Sequence, residues 1–336
     1  MPASRNILVL YTGGTIGMQQ SATGLMPASG FAARLRDQQQ QQPQLALPEW
    51  HFRELLPPID SANMNQTHWL AMVEAIKTGI DEDDCDAVLV LHGTDTLAYS
   101  AAALSFLLLG LDVPVLLTGS MQPAGAPGSD AWDNLFGAMQ ALKAGVSPDV
   151  HLYFAGKLMH GARASKLGTA TLDAFDVLPR QRQAESAPAI PTALNYRHPR
   201  QPVGLAVLPL YPGIQAAQVR ALLANGVQGL VLECYGSGTG PADDTELLAA
   251  LQDAHRRGVV LVAISQCPQG HVEFGIYAAG SKLAASGLIS GGGMTREAAL
   301  GKLFALLGAG LSQAEVEHWF ALDLCGERSD RTAMIN

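Results

Sequence analysis

Charged side chains are scarce in this chain. Asp, Glu, Lys and Arg together make up 15% of its 336 residues, against about 25% in an average globular protein. Disordered chains have few apolar residues, whereas 48% of this sequence is hydrophobic, and coiled coils need many charged residues, so both classes are excluded. The apolar content is enough for large cores, and the length predicts two domains.

Basic runs are also missing, and the longest is the pair Arg256 and Arg257. The 30 acidic and 21 basic residues give a formal net charge of −9, which argues against a surface that follows the phosphates of a nucleic acid. We therefore expect no nucleic-acid partner. Only six of the basic residues are lysines, and Lys166 stands among small and apolar neighbours, so this lysine calls for a chemical explanation.

No apolar run is long enough to cross a membrane or to form the core of an export signal. Residues 7–11 are too few for a signal peptide. The longest apolar stretch, residues 98–117, is interrupted by Gly110, Asp112 and Pro114, which predicts a helix followed by a strand. We expect a cytoplasmic protein with no membrane partner. The four cysteines show no CxxC spacing and are expected as free thiols.

Short apolar runs alternate with amphipathic stretches, which predicts an α/β fold: a larger N-terminal domain with a parallel-type sheet covered by helices, and a smaller C-terminal α/β domain. Strands buried on both faces are apolar throughout. By this criterion the first domain has strands at residues 7–11, 87–91, 113–117 and 150–154. Helical spacing of apolar residues predicts one helix around residues 69–80 and another after an N-cap at Asp130.

A proline-rich stretch without periodicity, residues 184–202, predicts the connection between the domains. We place an N-terminal domain at residues 1–190, a linker at 191–202 and a C-terminal domain at 203–336. Beyond the linker, strands at 203–208, 229–234 and 259–264 alternate with helices near 216–224, 245–257 and 295–307. Ser312 and Glu315 predict a capping box at the start of a last helix.

Two loops that follow predicted strands carry a threonine hydroxyl among glycines: TGGTIG at residues 12–17 and HGTDT at residues 92–96. In parallel sheets, ligands bind beyond the carboxyl ends of the strands. Glycines permit tight turns and close approach of a ligand to main-chain N–H groups. TGGTIG has neither the ending of a P-loop nor GxGxxG spacing, so on its own it fits a structural turn as well as a ligand loop.

Together the two loops resemble the signature motifs of the L-asparaginase family. The resemblance covers almost the whole chain and follows the order of the cytoplasmic, bacterial type I branch. The further motifs are PPIDSANM at 57–64, LTGSMQP at 117–123, GARASK at 161–166 with DAFD at 173–176, LYPG at 210–213 and SQCPQG at 265–270.

The resemblance implies an amidohydrolase that converts L-asparagine to L-aspartate and ammonia without metal or cofactor. By the family pattern Thr12 is the nucleophile, and Thr94, Asp95 and Lys166 form a second catalytic group. Lys166 is then the base, which acts through Thr94 on a water or on the proton of the nucleophile. An amine with an ordinary pKa of about 10.4 has to be desolvated to accept a proton at neutral pH. The small and apolar neighbours of Lys166 permit that.

A zwitterionic substrate needs an anion for its α-ammonium group and donors for its α-carboxylate. Asp60 and Ser61 match the substrate-binding pair of the family, Asp95 is expected at the α-ammonium group with Thr94 beside it, and Thr118 is expected near the side-chain amide. Alone, Asp60 and Ser61 after two prolines would indicate a turn.

Two positions depart from the family pattern. The family has a tyrosine 13 residues after the nucleophile, in a mobile lid, and its hydroxyl orients or activates the threonine; this chain has Leu25 there. Either another group takes over, or activity is low, or the lid acts only by excluding water. At Glu233 the type I branch can carry an arginine linked to allosteric asparagine binding, so an identical effector site is not expected.

Two other interpretations stay open. Leu25 would suit an asparagine-binding or regulatory protein with little turnover. The motifs are also shared with the asparaginase-like subunit of a tRNA-dependent amidotransferase, against which the acidic balance argues. Members of the family form homodimers and homotetramers, which the resemblance implies here.

Overall fold

The chain divides into two compact units, Met1–Val177 and Leu178–Asn336. The computed structural model describes residues 6–21 and 24–329; residues 1–5, on which the expectation of no export signal also rests, lie outside that part. The stretch predicted as the linker, residues 191–202, lies inside the second unit, where the Gln201 N–H donates to the Gly308 carbonyl at 3.0 Å.

The first unit alternates strands and helices as predicted. Its strands are β1 (Asn6–Gly13), β2 (Gln19–Ser21), β3 (Gly24–Met26), β4 (Glu49–Ile59), β5 (Ala87–Leu91), β6 (Val115–Thr118), β7 (Val150–Phe154), β8 (Lys157–His160), β9 (Ala164–Lys166) and β10 (Phe175–Val177). Its helices are α1 (Phe31–Gln41), α2 (Gln66–Asp81), α3 (Leu97–Leu107) and α4 (Ala131–Ala144).

Within the described residues, six strands form the main sheet in the order β4-β1-β5-β6-β7-β8. All neighbours run parallel except β7 and β8. Ile7, Val9 and Tyr11 share a core cluster with residues of α1 and α4, whereas Leu8 packs against Gly79 of α2, where a Cβ would come within 2.6 Å of the leucine side chain. Helices therefore cover both faces, which explains why residues 7–10 of β1 and all of β5 are apolar.

Two small antiparallel hairpins are separate from the main sheet. The first pairs β2 with β3, with Gln20 opposite Leu25. The second pairs β9 with β10, with Lys166 opposite Phe175. The second hairpin brings the lysine of the GARASK motif back to the main sheet.

The second unit is a smaller parallel α/β layer. Its strands are β11 (Leu205–Pro209), β12 (Gly229–Cys234), β13 (Val260–Ser265) and β14 (Leu288–Ser290), in that spatial order and all parallel. Its helices are α5 (Ala216–Leu223), α6 (Thr245–Arg256), α7 (Ala278–Ala285), α8 (Arg296–Gly308) and α9 (Gln313–Ala321). The predicted fold class is confirmed.

The two predicted helix caps have different outcomes. Ser312 and Glu315 form the expected capping box of α9. Asp130 is the N-cap residue of α4, as predicted, but its side chain makes no cap hydrogen bond. The carboxylate instead accepts the N–H groups of Met121 at 2.9 Å and Gln122 at 3.1 Å, because the loop after β6 passes over this end of the helix.

None of the helices in residues 6–21 and 24–329 has the length and apolar character needed to span a membrane.

Candidate active site

Three loops meet beyond the carboxyl ends of β1, β4 and β5. A Cβ on Gly14 would lie 2.2 Å from the backbone nitrogen of Gly93, so the TGGTIG and HGTDT loops contact each other through their backbones. A Cβ on Gly93 would lie 2.4 Å from the Ser61 hydroxyl oxygen. The Gly14 N–H also donates to the Ile59 carbonyl at 3.0 Å. Glycine is required at both positions because any side chain would separate the loops.

Thr12 is buried at the end of β1, and its hydroxyl donates to the carbonyl of Leu91 at 3.0 Å. Leu91 is the last residue of β5 and pairs with Tyr11. The hydroxyl is thus held at the strand ends. A nucleophilic role would require this hydroxyl to exchange the carbonyl for a group that accepts its proton.

Thr94, Asp95 and Lys166 are brought together by hydrogen bonds. The Lys166 ammonium group donates to the Thr94 hydroxyl oxygen at 3.0 Å and to an Asp95 carboxylate oxygen at 2.9 Å. Thr94 is buried, while the Asp95 side chain is 63% exposed and that of Lys166 only 19%. Because Asp95 is largely solvated, this ion pair adds little to stability, but it fixes the lysine nitrogen beside the threonine.

The predicted substrate-binding residues line the same end of the sheet. Asp60 is exposed, and its carboxylate accepts the Ala62 N–H at 3.2 Å. Ser61 is buried, and its carbonyl accepts the Thr96 hydroxyl at 2.8 Å. Thr118, at the end of β6, is fully buried and donates to the Tyr153 carbonyl at 2.7 Å. Asp60 and Ser61 follow the end of β4, and Thr118 ends β6; their roles remain predictions.

His92, the first residue of the HGTDT loop, is buried, and the sequence predicted no role for it. One ring nitrogen, Nδ1, lies 2.7 Å from the Gly93 carbonyl, and Nε2 lies 2.8 Å from the Ser100 hydroxyl oxygen. The indole N–H of Trp69 donates to the same hydroxyl oxygen at 2.9 Å. All groups are satisfied when Nδ1 carries the hydrogen and Ser100 donates to Nε2.

Burial lowers the pKa of His92 from 6.5 to about 4, against the opposing effect of the Gly93 carbonyl. The imidazole is therefore neutral near pH 7 and serves as an internal support for the Gly93-Thr94-Asp95 turn. The only sequence signal for this role is a histidine that directly follows the buried apolar strand β5.

Leu25 lies in the β2–β3 hairpin, and its side chain is half exposed. Its neighbour Met26 is also exposed. The position where the family carries a tyrosine therefore presents apolar surface in this chain and no hydroxyl group.

Glu233, the other departure from the family pattern, lies in the second unit near the end of β12. It is buried and forms a bidentate ion pair with Arg296 of α8, Nε to Oε1 at 2.6 Å and Nη2 to Oε2 at 2.8 Å. The acidic side chain is thus neutralised from within its own unit.

No cluster of three or more His, Cys, Asp or Glu side chains suited to a metal ion occurs within the described part of the chain. The cysteines are free thiols, as predicted. Burial raises the pKa of Cys234 to about 12, which makes that thiol a poor nucleophile.

Comparison with known proteins gives matches over nearly the whole chain. It is 37% identical to L-asparaginase 1 of Escherichia coli strain K12 over 333 residues, which covers 96% of this chain and 98% of that protein. It is also 30% identical to a glutamyl-tRNA(Gln) amidotransferase subunit from Methanobrevibacter smithii over 355 residues, 99% of this chain and 79% of that protein.

A solved structure agrees with the sequence match. The crystal structure of L-asparaginase I from Vibrio cholerae O1 biovar eltor has a TM-score of 0.82 and 34% identity, over 97% of this chain and 100% of that one. The family model for the N-terminal domain of asparaginase matches residues 6–197, and that for the glutaminase/asparaginase C-terminal domain matches residues 205–320. The chain belongs to the asparaginase family.

Proposed function

We propose that this protein hydrolyses L-asparagine to L-aspartate and ammonia, with Thr12 as nucleophile. The observation that carries the proposal is the placement of the Lys166 nitrogen, 3.0 Å from the Thr94 hydroxyl oxygen and 2.9 Å from Asp95. A lysine held beside a threonine hydroxyl can supply the base that a threonine nucleophile needs.

The proposed substrate position follows from charge. The Asp60 and Asp95 carboxylates are both exposed and can receive the α-ammonium group. Ser61 and Thr94 offer hydroxyl groups to the α-carboxylate. Thr118, at the end of the adjacent strand, is assigned to the side of the pocket that receives the side-chain amide.

The proposed reaction has two steps. The Thr12 oxygen attacks the amide carbon, its proton passes toward Lys166 by way of Thr94, and the C–N bond breaks as ammonia leaves with a proton. A water molecule then attacks the acyl-threonine and restores the hydroxyl with release of L-aspartate. The amide and one water molecule thus give the acid and ammonia, in balance.

The Asp95 carboxylate accepts a hydrogen bond from the Lys166 ammonium group at 2.9 Å. When the α-ammonium group of the substrate reaches Asp95, a second positive charge shares that carboxylate and repels the lysine ammonium group. To act as a base, Lys166 has to be in its uncharged amine form.

A steady-state ammonia assay on L-asparagine tests the lysine assignment. Lys166→Met should lower kcat by at least about 100-fold, the lower range for general-base catalysis. Lys157→Met is the matched control, because Lys157 also lies in the first unit and pairs with two carboxylates, Asp173 at 2.9 Å and Asp176 at 3.1 Å, and it should retain the parental rate. Equal rates in both variants would remove the base from the proposal.

Because Leu25 has no hydroxyl group, the β2–β3 hairpin contributes to this site only by covering it. Leu25→Tyr should raise kcat, because it supplies a hydroxyl where the side chain is half exposed. Calorimetry that detects asparagine binding while the parental chain releases no ammonia would favour a binding protein instead. Salt-sensitive tRNA binding would favour an amidotransferase subunit.

We further propose a cytoplasmic homodimer or homotetramer. The free thiols fit a reducing compartment, and large apolar side chains such as Leu56, Ile276 and Tyr277 are exposed in the single chain. Sedimentation analysis should give a mass at least twice the 35.3 kDa of the chain; a monomer at micromolar concentration contradicts the proposal.

A further inference from the structure

The β2–β3 hairpin is tied to the rest of the first unit at both of its ends. Before β2, the carbonyl of Gly17 accepts a hydrogen bond from Arg34 Nη2 at 2.9 Å. After β3, the carbonyl of Ala28 accepts one from the Tyr11 hydroxyl at 3.0 Å. Two side chains that come from different elements, α1 and β1, therefore fix the two points at which the chain enters and leaves the hairpin.

Both donors rest on the same aromatic side chain, Phe31. The Tyr11 ring stacks on Phe31 at 5.4 Å between centroids and also on Phe52 at 6.1 Å. The Arg34 guanidinium group lies over the Phe31 ring, 4.8 Å from its centroid. Packed aromatic rings leave the two donors little rotational freedom.

The two ends also touch each other through Tyr11. A Cβ on Gly17 would lie 1.8 Å from the Tyr11 hydroxyl oxygen, so residue 17 has to be glycine for the hydroxyl to occupy its position. Tyr11 is fully buried and directly precedes Thr12. The Tyr11 side chain thus links the position of the hairpin to that of Thr12, the proposed nucleophile.

The Tyr11 hydroxyl is a donor rather than an acid or base. Its burial raises its pKa to about 12, against the opposing effect of Arg34, so the hydrogen stays in place across the working range of an enzyme.

We propose that Tyr11 and Arg34 are positioning residues that hold the ends of the β2–β3 hairpin in register with Thr12. The inference rests on the proposed function, because it takes the hairpin as the cover of the asparagine site. Leu25 offers no hydroxyl group at the position where the family carries a tyrosine. The placement of the hairpin therefore depends on these two anchors.

Two variants test the anchors separately. Tyr11→Phe removes only the hydroxyl and leaves the ring stack, and Arg34→Gln replaces the guanidinium group that donates to Gly17 with a shorter, uncharged side chain. Arg36→Gln is the matched control, because Arg36 lies two residues further along α1, is exposed, and has its guanidinium group over Trp50 at 5.4 Å. Arg34→Lys tests rescue by a residue that keeps a cationic donor.

The readouts are hydrogen–deuterium exchange of the amides at Gly17, Met18 and Ala28, and the separate values of kcat and KM for L-asparagine across pH. Tyr11→Phe and Arg34→Gln should each speed exchange at their end of the hairpin and raise KM about fivefold, the factor expected for one hydrogen bond. The value of kcat should change less than about twofold, and the pH profile should not move.

Arg34→Lys should recover most of the KM, and Arg36→Gln should match the parent. Parental exchange and parental KM in both anchor variants would overturn the proposal, as would a shifted pH profile in Tyr11→Phe, which would make the hydroxyl a proton-transfer group. If the parent releases no ammonia from L-asparagine, the proposed function fails, while the exchange measurement still decides whether the anchors hold the hairpin.

Discussion

His92→Gln should remove a specific pH dependence of stability from the first unit. His92 is fully buried between the Gly93 carbonyl and the Ser100 hydroxyl, and burial lowers its pKa from 6.5 to about 4. A glutamine amide keeps one donor and one acceptor but does not titrate.

The direction of this pH dependence follows from the number of protons that residue 92 binds in the folded and unfolded states. Between pH 6.5 and about 4, the unfolded chain binds a proton at residue 92 and the folded chain does not. The free energy of unfolding therefore rises with pH in this window, and the stability that His92 contributes is lost as the pH falls through it. Between about pH 7.5 and about pH 5, these two pKa values give a loss of about 2 kcal/mol from this residue alone.

The measurement is urea unfolding followed by tryptophan fluorescence at both pH values. Three of the four tryptophans, Trp50, Trp69 and Trp132, lie in the first unit, so the signal reports mainly on the part that contains His92. The other titrating groups are the same in both proteins, and their contributions cancel in the difference. The parent should lose about 2 kcal/mol more than His92→Gln. An equal loss in the two proteins would refute the assignment of a buried, neutral His92.

Further stability predictions concern other buried polar groups, all measured by urea unfolding. Ser100→Ala removes the hydroxyl that bonds to His92 Nε2 and Trp69 Nε1 and should cost about 3 kcal/mol. A loss under about 1 kcal/mol would mean that these two nitrogens bond to other groups in the variant. Lys302→Met leaves the fully buried Glu327 without its cation and should cost about 3–5 kcal/mol. Replacing Glu327 by leucine in that variant should recover most of the loss, and no recovery would contradict the ion-pair explanation. Glu233→Gln weakens a pair whose Arg296 side chain is half exposed and should cost only about 1 kcal/mol.

Local sequence patterns predicted much of the fold. The strands at residues 87–91, 150–154 and 229–234 have the predicted bounds. The first of them is apolar from end to end, as expected for a strand covered on both faces. The capping box at Ser312 and Glu315 was also predictable, since its partners are three residues apart.

Contacts between residues distant in the sequence could not be predicted in this way. Asp130 has the residue type of a helix cap, yet its carboxylate accepts hydrogen bonds from the N–H groups of Met121 and Gln122. The anchors of the hairpin depend on a carbonyl that lies 17 residues from its donor in each case. Nothing in the local pattern marks such a bond, because only the packing of β1 and α1 brings the two groups together.

The candidate site was predictable as a set of motifs rather than as a geometry. The family resemblance put Thr12, Thr94, Asp95 and Lys166 in one constellation, and the structure places three of them within hydrogen-bonding distance. Thr12 instead donates to the Leu91 carbonyl, an arrangement that no motif specifies. The catalytic roles of all four stay predictions.

The identity of the nucleophile is the central claim, and acid-quenched turnover tests it most directly. The enzyme is mixed with excess L-asparagine, quenched during the first turnover, and mapped by mass spectrometry while released ammonia is measured in parallel. We predict an aspartyl ester on Thr12, and neither ester nor ammonia release from Thr12→Val. Ammonia release at the parental rate from Thr12→Val would contradict the claim.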